Sequence, residues 1–295
     1  MPRIVLFGLM DTLVDRQWRV FDHVQEALRA VQEFRDARGK PLPSGLVADS
    51  PAVAAPLAPI VDELVGRLAD AGLRPFFEPV ARRVTLSAHA AVPLPQLGIF
   101  ETALKRLRRK ASLADCLFIT GNAAHARAAS QALGMATLRF APAGAEAADF
   151  DDWSQAPILI ARRLDPANAD NLQAAVRAYL SARGIDADMV QVDRSGGPWP
   201  VSGRRWHPVE VPGLGTVQVA LALAGHVELQ GNGQLAARLP PPQDSEIAEA
   251  TDFARSLAAH GQIAGEGAPR GRTTHAIESG PGGARRLVRQ RFSAV

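Results

Sequence analysis

The sequence predicts an α/β domain built on a parallel sheet, followed by an α+β domain with an antiparallel sheet. Two patterns support this. Up to about residue 150, short apolar runs alternate with amphipathic stretches at helical spacing, as strands joined by helical crossovers do. From about residue 216 the apolar runs follow one another across Gly-rich turns, as hairpins do. A chain of 295 residues accommodates two ordinary domains, expected at 1–150 and 151–295.

The elements follow in order. Residues 3–9, 82–88, 115–120 and 136–140 read as short buried strands. A helix over 16–36 would present Val20, Phe21, Val24, Leu28, Val31 and Phe34 on one face. The stretch 41–58 holds four prolines and reads as a loop. A helix over about 57–71 stops at Gly72, and another over about 98–109 carries Ile99, Phe100, Ala103, Leu104 and Leu107. Asn122 is a good N-cap for a helix that ends at Gly134. The two early helices, with the loop between them, would form an insertion spanning about 15–75 between the first strand and the next.

In the second half, 157–161 reads as a strand, Asp165-Pro166 opens a helix to about Arg183, and 188–192 is a strand. Residues 195–214 read as a Gly/Pro/Arg-rich loop holding Trp199 and Trp206. Strands are then expected at 216–223, 225–229 and 234–238, with Gly231-Asn232-Gly233 as a hairpin turn. A helix over 245–259 follows, then a Gly/Arg-rich loop over 261–272. A hairpin of 273–278 and 285–292 closes around Gly280-Pro281-Gly282-Gly283.

Composition narrows the functional classes. Apolar content of 47% and charged content of 21% are those of a globular chain. Cys116 is the one cysteine, which excludes an internal disulfide and a cysteine-rich zinc site, and its apolar surroundings predict a buried thiol. The N-terminal apolar stretch is too short to span a membrane and is interrupted by Asp11 and Asp15, so a cytoplasmic location and no membrane partner are expected. The pI near 9.6 suggests nucleic acid, but a net charge of +3 lacks the one-sided excess a polyanion requires. The histidines His207, His226, His260 and His275 show no ligand spacing.

Residues 3–15, Arg-Ile-Val-Leu-Phe-Gly-Leu-Met-Asp-Thr-Leu-Val-Asp, form a strand running into a turn that ends in Asp-Thr-Leu. Further on, Val92-Pro93-Leu94-Pro95 precedes Gly98-Ile99-Phe100-Glu101, and Leu117-Phe118-Ile119-Thr120-Gly121-Asn122-Ala123-Ala124-His125 leads a helix. Together these segments resemble the haloacid dehalogenase-like (HAD) hydrolase superfamily over about the first 145 residues. The resemblance implies a parallel Rossmann-like sheet with a helical cap and a Mg²⁺-dependent phosphoryl- or halide-cleaving site. The family's nucleophile, its acid/base, its lysine and its two cation-binding aspartates would fall at Gly8, Met10, Val92, Gly121 and His125.

None of these five side chains can do that chemistry, since the reaction needs a carboxylate nucleophile and a hard cation in an oxygen cage. Asp11 and Asp15 are residual candidates, but their spacing does not reproduce the family's pair, and a helix-capping role suits Asp11 better. Ser87 has the character of the family's phosphoryl-binding residue. Ser87, Asn122 and His125 are therefore the expected anion-binding residues. The expectation is a HAD-like protein without catalysis, acting as a binding or scaffold protein. No cofactor is expected; Mg²⁺ would enter only in the alternative of a divergent hydrolase.

A chain without chemistry acts through its surface. Trp199 and Trp206, flanked by Arg194, Arg204 and Arg205, are the candidate interface for a protein partner or a homo-oligomer, because Trp and Arg dominate binding hot spots. Two basic clusters, at Lys105–Lys110 and at Arg285, Arg289 and Arg291, leave nucleic-acid association as a third class. Helix-dipole and edge-strand roles account for them more simply.

Overall fold

The computed structural model describes residues 1–50, 57–142, 148–193, 197–265, 273–280 and 283–290. Arg194, Arg291 and parts of the 141–156 link, the 261–272 loop and the last turn lie outside the described residues. Contacts divide the chain into two compact units. The first comprises 1–182 with 192–197 and 229–235, and the second comprises 183–191, 198–228 and 236–295. The expected boundary at 150 therefore falls inside the first unit.

The first unit is built on five parallel strands, β1 (Ile4–Gly8), β2 (Ser44–Ala48), β3 (Val84–Leu86), β4 (Cys116–Thr120) and β5 (Ala136–Arg139). Their spatial order is β3-β2-β1-β4-β5. Helices α1 (Val24–Glu33), α2 (Leu57–Asp70), α3 (Val80–Arg83), α4 (Ser87–Ala90), α5 (Leu97–Arg106), α6 (Ala123–Gln131), α7 (Ala156–Leu164) and α8 (Ala169–Ser181) connect and cover it. Every residue of β1, β2 and β4 is buried, as expected for strands covered on both faces. On one face Ile4, Leu6, Val47 and Phe118 pack with Ile99 and Phe100 of α5 and Ala129 of α6. On the other, Phe7 meets Phe77 and Trp153, and Trp153 meets Phe140 and Phe150. The Cys116 thiol is fully buried, and burial pushes its pKa up to about 12.

Four expectations are corrected here. The stretch 41–58 is not simply a loop, because it contains β2, hydrogen-bonded between β1 and β3. Its prolines at 41 and 43 precede the strand, where no ladder hydrogen bond is lost. Because β2 runs between α1 and α2, residues 15–75 are not a purely helical cap. α1 packs with α7 and α8, whereas α2 borders the strand ends. The helix over 16–36 begins only at Val24, because Trp18 and His23 adopt left-handed φ of 63° and 65°. Finally, 157–161 is helical: α7 buries that whole run, so apolar content alone could not separate helix from strand. Its Pro157 sits at the helix start, where proline is tolerated.

Among the described residues the second unit holds a mixed sheet and one helix, α9 (Asp244–Ala259). Its strands are β6 (Ile185–Val190), β7 (Trp199–Val211), β8 (Gly215–Leu229), β9 (Leu235–Arg238), β10 (Ile263–Ala264), β11 (His275–Ser279) and β12 (Arg285–Arg289). They run in the order β10-β11-β12-β8-β7-β6, with β9 beside β8. α9 covers a face formed by Val209, Val211, Val217, Val219, Ile277 and Leu287. The β6–β7, β7–β8 and β11–β12 pairs are antiparallel, whereas β10–β11 and β12–β8 are parallel. The supposed 195–214 loop is mostly the strand β7, zipped to β8 over its full length.

Candidate functional site

Open parallel sheets gather their binding sites at the carboxyl ends of the strands. In the first unit that rim carries Gly8 at the end of β1, Asp49 and Ser50 after β2, Ser87 after β3 and Thr120-Gly121 at β4. The loop leaving β1 folds across it. Leu13 and Val14 amides donate to Leu9 O at 2.9 and 3.2 Å, holding residues 9–14 in a tight coil.

Thr12 locks that coil in place. Its hydroxyl donates to Met10 O at 3.1 Å and accepts from the Gly121 amide at 2.8 Å, while its carbonyl accepts from the Trp153 indole at 3.0 Å. Thr12 is fully buried, and so is Leu13 beside it. The consequence is steric. A Cβ on Gly121 would lie 1.6 Å from the Asp11 carbonyl oxygen, and one on Gly8 would meet the Thr12 hydroxyl oxygen at 3.0 Å. At the first position no side chain fits. The β1–β4 part of the rim is filled by the protein's own backbone.

The remaining candidate residues are occupied in structural roles. Asp15 accepts from the Gln17 and Arg19 amides at 2.8 and 2.9 Å and pairs with the Arg19 guanidinium at 2.7 Å. Desolvation raises its pKa, but the hydrogen bonds from Arg19 and Gln17 and the Arg19 charge outweigh it and hold the carboxyl below its ordinary value. Asp11 is exposed, left-handed at φ 55°, and 3.7 Å from Arg16. Val92 packs on the core beside α5. The Asn122 side-chain Oδ1 caps α6 by accepting from the Ala124 and His125 amides at 2.9 and 3.1 Å. His125 is half-buried; desolvation pushes its imidazole below the ordinary value, against the opposing pull of the Asp49 charge.

Ser87 is not an open anion-binding hydroxyl. It is 1% exposed, and its Oγ accepts from the Ser50 amide and shares a hydrogen with the Ser50 hydroxyl, both at 2.8 Å. The reason is topological. β2, not β3, adjoins β1, so Asp49 and Ser50 stand beside the crevice and Ser87 backs them. Sequence reading missed both because the apolar run before them is only Leu46-Val47-Ala48.

Next to this filled rim lies a cavity of about 350 Å³. Leu9, Met10, Leu86 and Leu64 give it apolar walls, and Asp49, Ser50, Glu63 and Arg67 supply polar groups. Arg67 pairs with Glu63 at 2.7 Å, and its guanidinium lies 5.1 Å from the Trp18 ring. The size and the mix of apolar walls with few polar groups suit a small organic ligand. No cluster of three His, Cys, Asp or Glu that could hold a metal occurs among the described residues.

The expected Trp/Arg surface does not form as one patch. Trp199 is 1% exposed and belongs inside. Trp206 is half-buried, its indole donating to Asp186 at 2.6 Å. Arg204 pairs with Asp188 at 3.1 Å, while Arg205, on the opposite face of the same strand, donates to Pro240 O at 3.2 Å. A strand alternates its side chains, and an irregular loop would not have imposed that separation.

These features define a three-layer α/β domain whose strand-end crevice is partly self-occupied, alongside a mixed-sheet domain. No family model matches the sequence, and no curated protein matches it. Among solved structures, the chain is similar to the HAD-hydrolase YfnB from Bacillus subtilis, crystallised with magnesium in an orthorhombic form. Identity is 15% and the TM-score 0.37, over 50% of this chain; the match spans 57% of the YfnB chain. No helix among the described residues is long and apolar enough to cross a membrane.

Proposed function

We propose that the first unit is a HAD-like domain without hydrolase chemistry and that the protein works by binding, as a scaffold or ligand-binding protein. One observation carries this reading: the Asp11 carbonyl stands where any side chain at 121 would have to begin. The family's reaction requires an acidic ligand to a hard cation there and a carboxylate at position 8. The first cannot be accommodated without moving the Thr12 clamp, and the second is a glycine. What remains beside the strand ends is the cavity under α2, which offers contact rather than catalysis.

The test is a phosphatase assay on the full chain with p-nitrophenyl phosphate and Mg²⁺. Hydrolysis at background level is expected, unchanged by Asp11→Asn. Mg²⁺ should leave the melting temperature unmoved, since a cation bound to the native state would raise it. Turnover that is lost in Asp11→Asn overturns the reading.

A further inference from the structure

A second cavity belongs to the second unit and has no part in the strand-end crevice. It measures about 830 Å³, within the range of small-molecule sites. Its position follows from the sheet. β12 and β8 are paired only where Arg286 stands opposite Gln218; beyond that pair no further ladder contact joins them among the described residues. The cavity is walled by residues of β7, β8, α9, β11 and β12, on both sides of this split.

Its wall chemistry is selective. Trp206 and Phe253 bring aromatic surfaces, and Phe253 is 53% exposed. Trp206 is held rigid, with its indole bonded to Asp186 and the Arg286 guanidinium 4.4 Å from its ring. Arg286 donates to the same Asp186 oxygen at 3.2 Å, so that carboxylate is neutralised locally. Asp188 is likewise paired with Arg204. Arg289 also lines the cavity and has no carboxylate partner among the described residues. The Gln290 side-chain oxygen is buried there without a hydrogen-bond donor. His275 meets Phe253 edge-on at 5.6 Å, and desolvation together with the Arg289 charge holds its pKa below the ordinary value.

Each feature asks for something different from a ligand. Flat aromatic walls favour a planar ring. A buried, unpartnered carbonyl is costly and favours a ring N–H or amino donor. A cation without a partner favours an anionic group, with arginine especially suited to phosphate. We propose that this cavity binds a base-and-phosphate unit, that is, a nucleotide.

Calorimetric titration of the full chain with AMP and GMP tests this, with adenosine, inorganic phosphate and a hexa-adenylate RNA as parallel arms. Saturable nucleotide binding is expected, weakened roughly tenfold or more by Arg289→Ala and by Phe253→Ala. Both side chains are exposed, so the variants should keep the parent melting temperature. Gln290→Leu should weaken AMP and adenosine alike. Tighter binding of the RNA than of AMP supports the same chemistry with a nucleic-acid strand as its source. The proposal is overturned if neither nucleotide nor RNA binds at millimolar concentration. It is overturned equally if inorganic phosphate binds as tightly as AMP, or if neither Arg289→Ala nor Phe253→Ala changes affinity.

Discussion

The two units make opposite use of the space around a sheet. In the first, five parallel strands are continuously paired and buried, and the loop after β1 fills the crevice at their ends. In the second, a mixed sheet is interrupted where β12 meets β8 through one residue pair, and a cavity occupies the interruption. A regular sheet offers a site only at its rim, and the β1–β4 part of that rim is closed by a threonine clamp. An irregular sheet offers a site within itself. The comparison teaches that the recognisable half of this chain is not the half with the larger cavity.

The sharpest way to break the comparison is to place an acid at the filled β1–β4 rim. Gly121→Asp would drive a Cβ into the Asp11 carbonyl and push the 9–14 coil outward. That coil holds the Thr12 bonds to Gly121 and Trp153, so its displacement would also strand buried polar groups. We expect a loss of about 3 kcal/mol or more in urea denaturation, at the upper end of overpacking costs. A variant that folds at parental stability would show that the crevice opens easily, and the contrast between the units would fail.

An effect of comparable size separates the two tryptophans of β7. Trp199 is fully buried, so Trp199→Ala should cost about 3–5 kcal/mol, as large core truncations do. Trp206 faces the cavity and is half-buried, so Trp206→Ala should cost about 1 kcal/mol. Chemical denaturation of both variants checks this, and equal losses would mean that the cavity wall is core.

These residues also show what could be read from sequence. β1, β4, β5, α5, α6 and α9 were legible because periodicity, Gly stops and the Asn122 cap all agree locally. The Asp-Thr-Leu signature placed the loop after β1, but its closure on Gly121 is a contact 109 residues away in sequence. β2 was illegible because a strand buried between two others needs no alternation, and only its neighbours mark it as a strand. Trp199 and Trp206 were read as one exposed loop because Gly, Pro and Arg dominate around them. The long pairing with β8 overrode that composition and divided the two by burial.

The smallest expected effect concerns pH and the edge of the first sheet. His89 accepts a hydrogen bond at Nδ1 from the Leu86 amide at 2.9 Å, so the imidazole must be unprotonated there. Desolvation and the nearby Arg106 charge both push its pKa below the ordinary value. The folded state thus resists a proton that the unfolded chain takes up at about pH 6.5. Stability from this group is fully present above that pH and is lost as pH falls toward the lower folded value. His125 in the same unit and His275 in the other shift in the same direction, so the whole chain should weaken on acidification. We expect the urea midpoint to fall between about pH 7.5 and about pH 5.5, and to fall less in His89→Gln, which removes the titrating group. If His89→Gln leaves the pH dependence unchanged, the bond to Leu86 is not what ties this sheet edge to proton uptake. A midpoint that rises on acidification would contradict all three histidines at once.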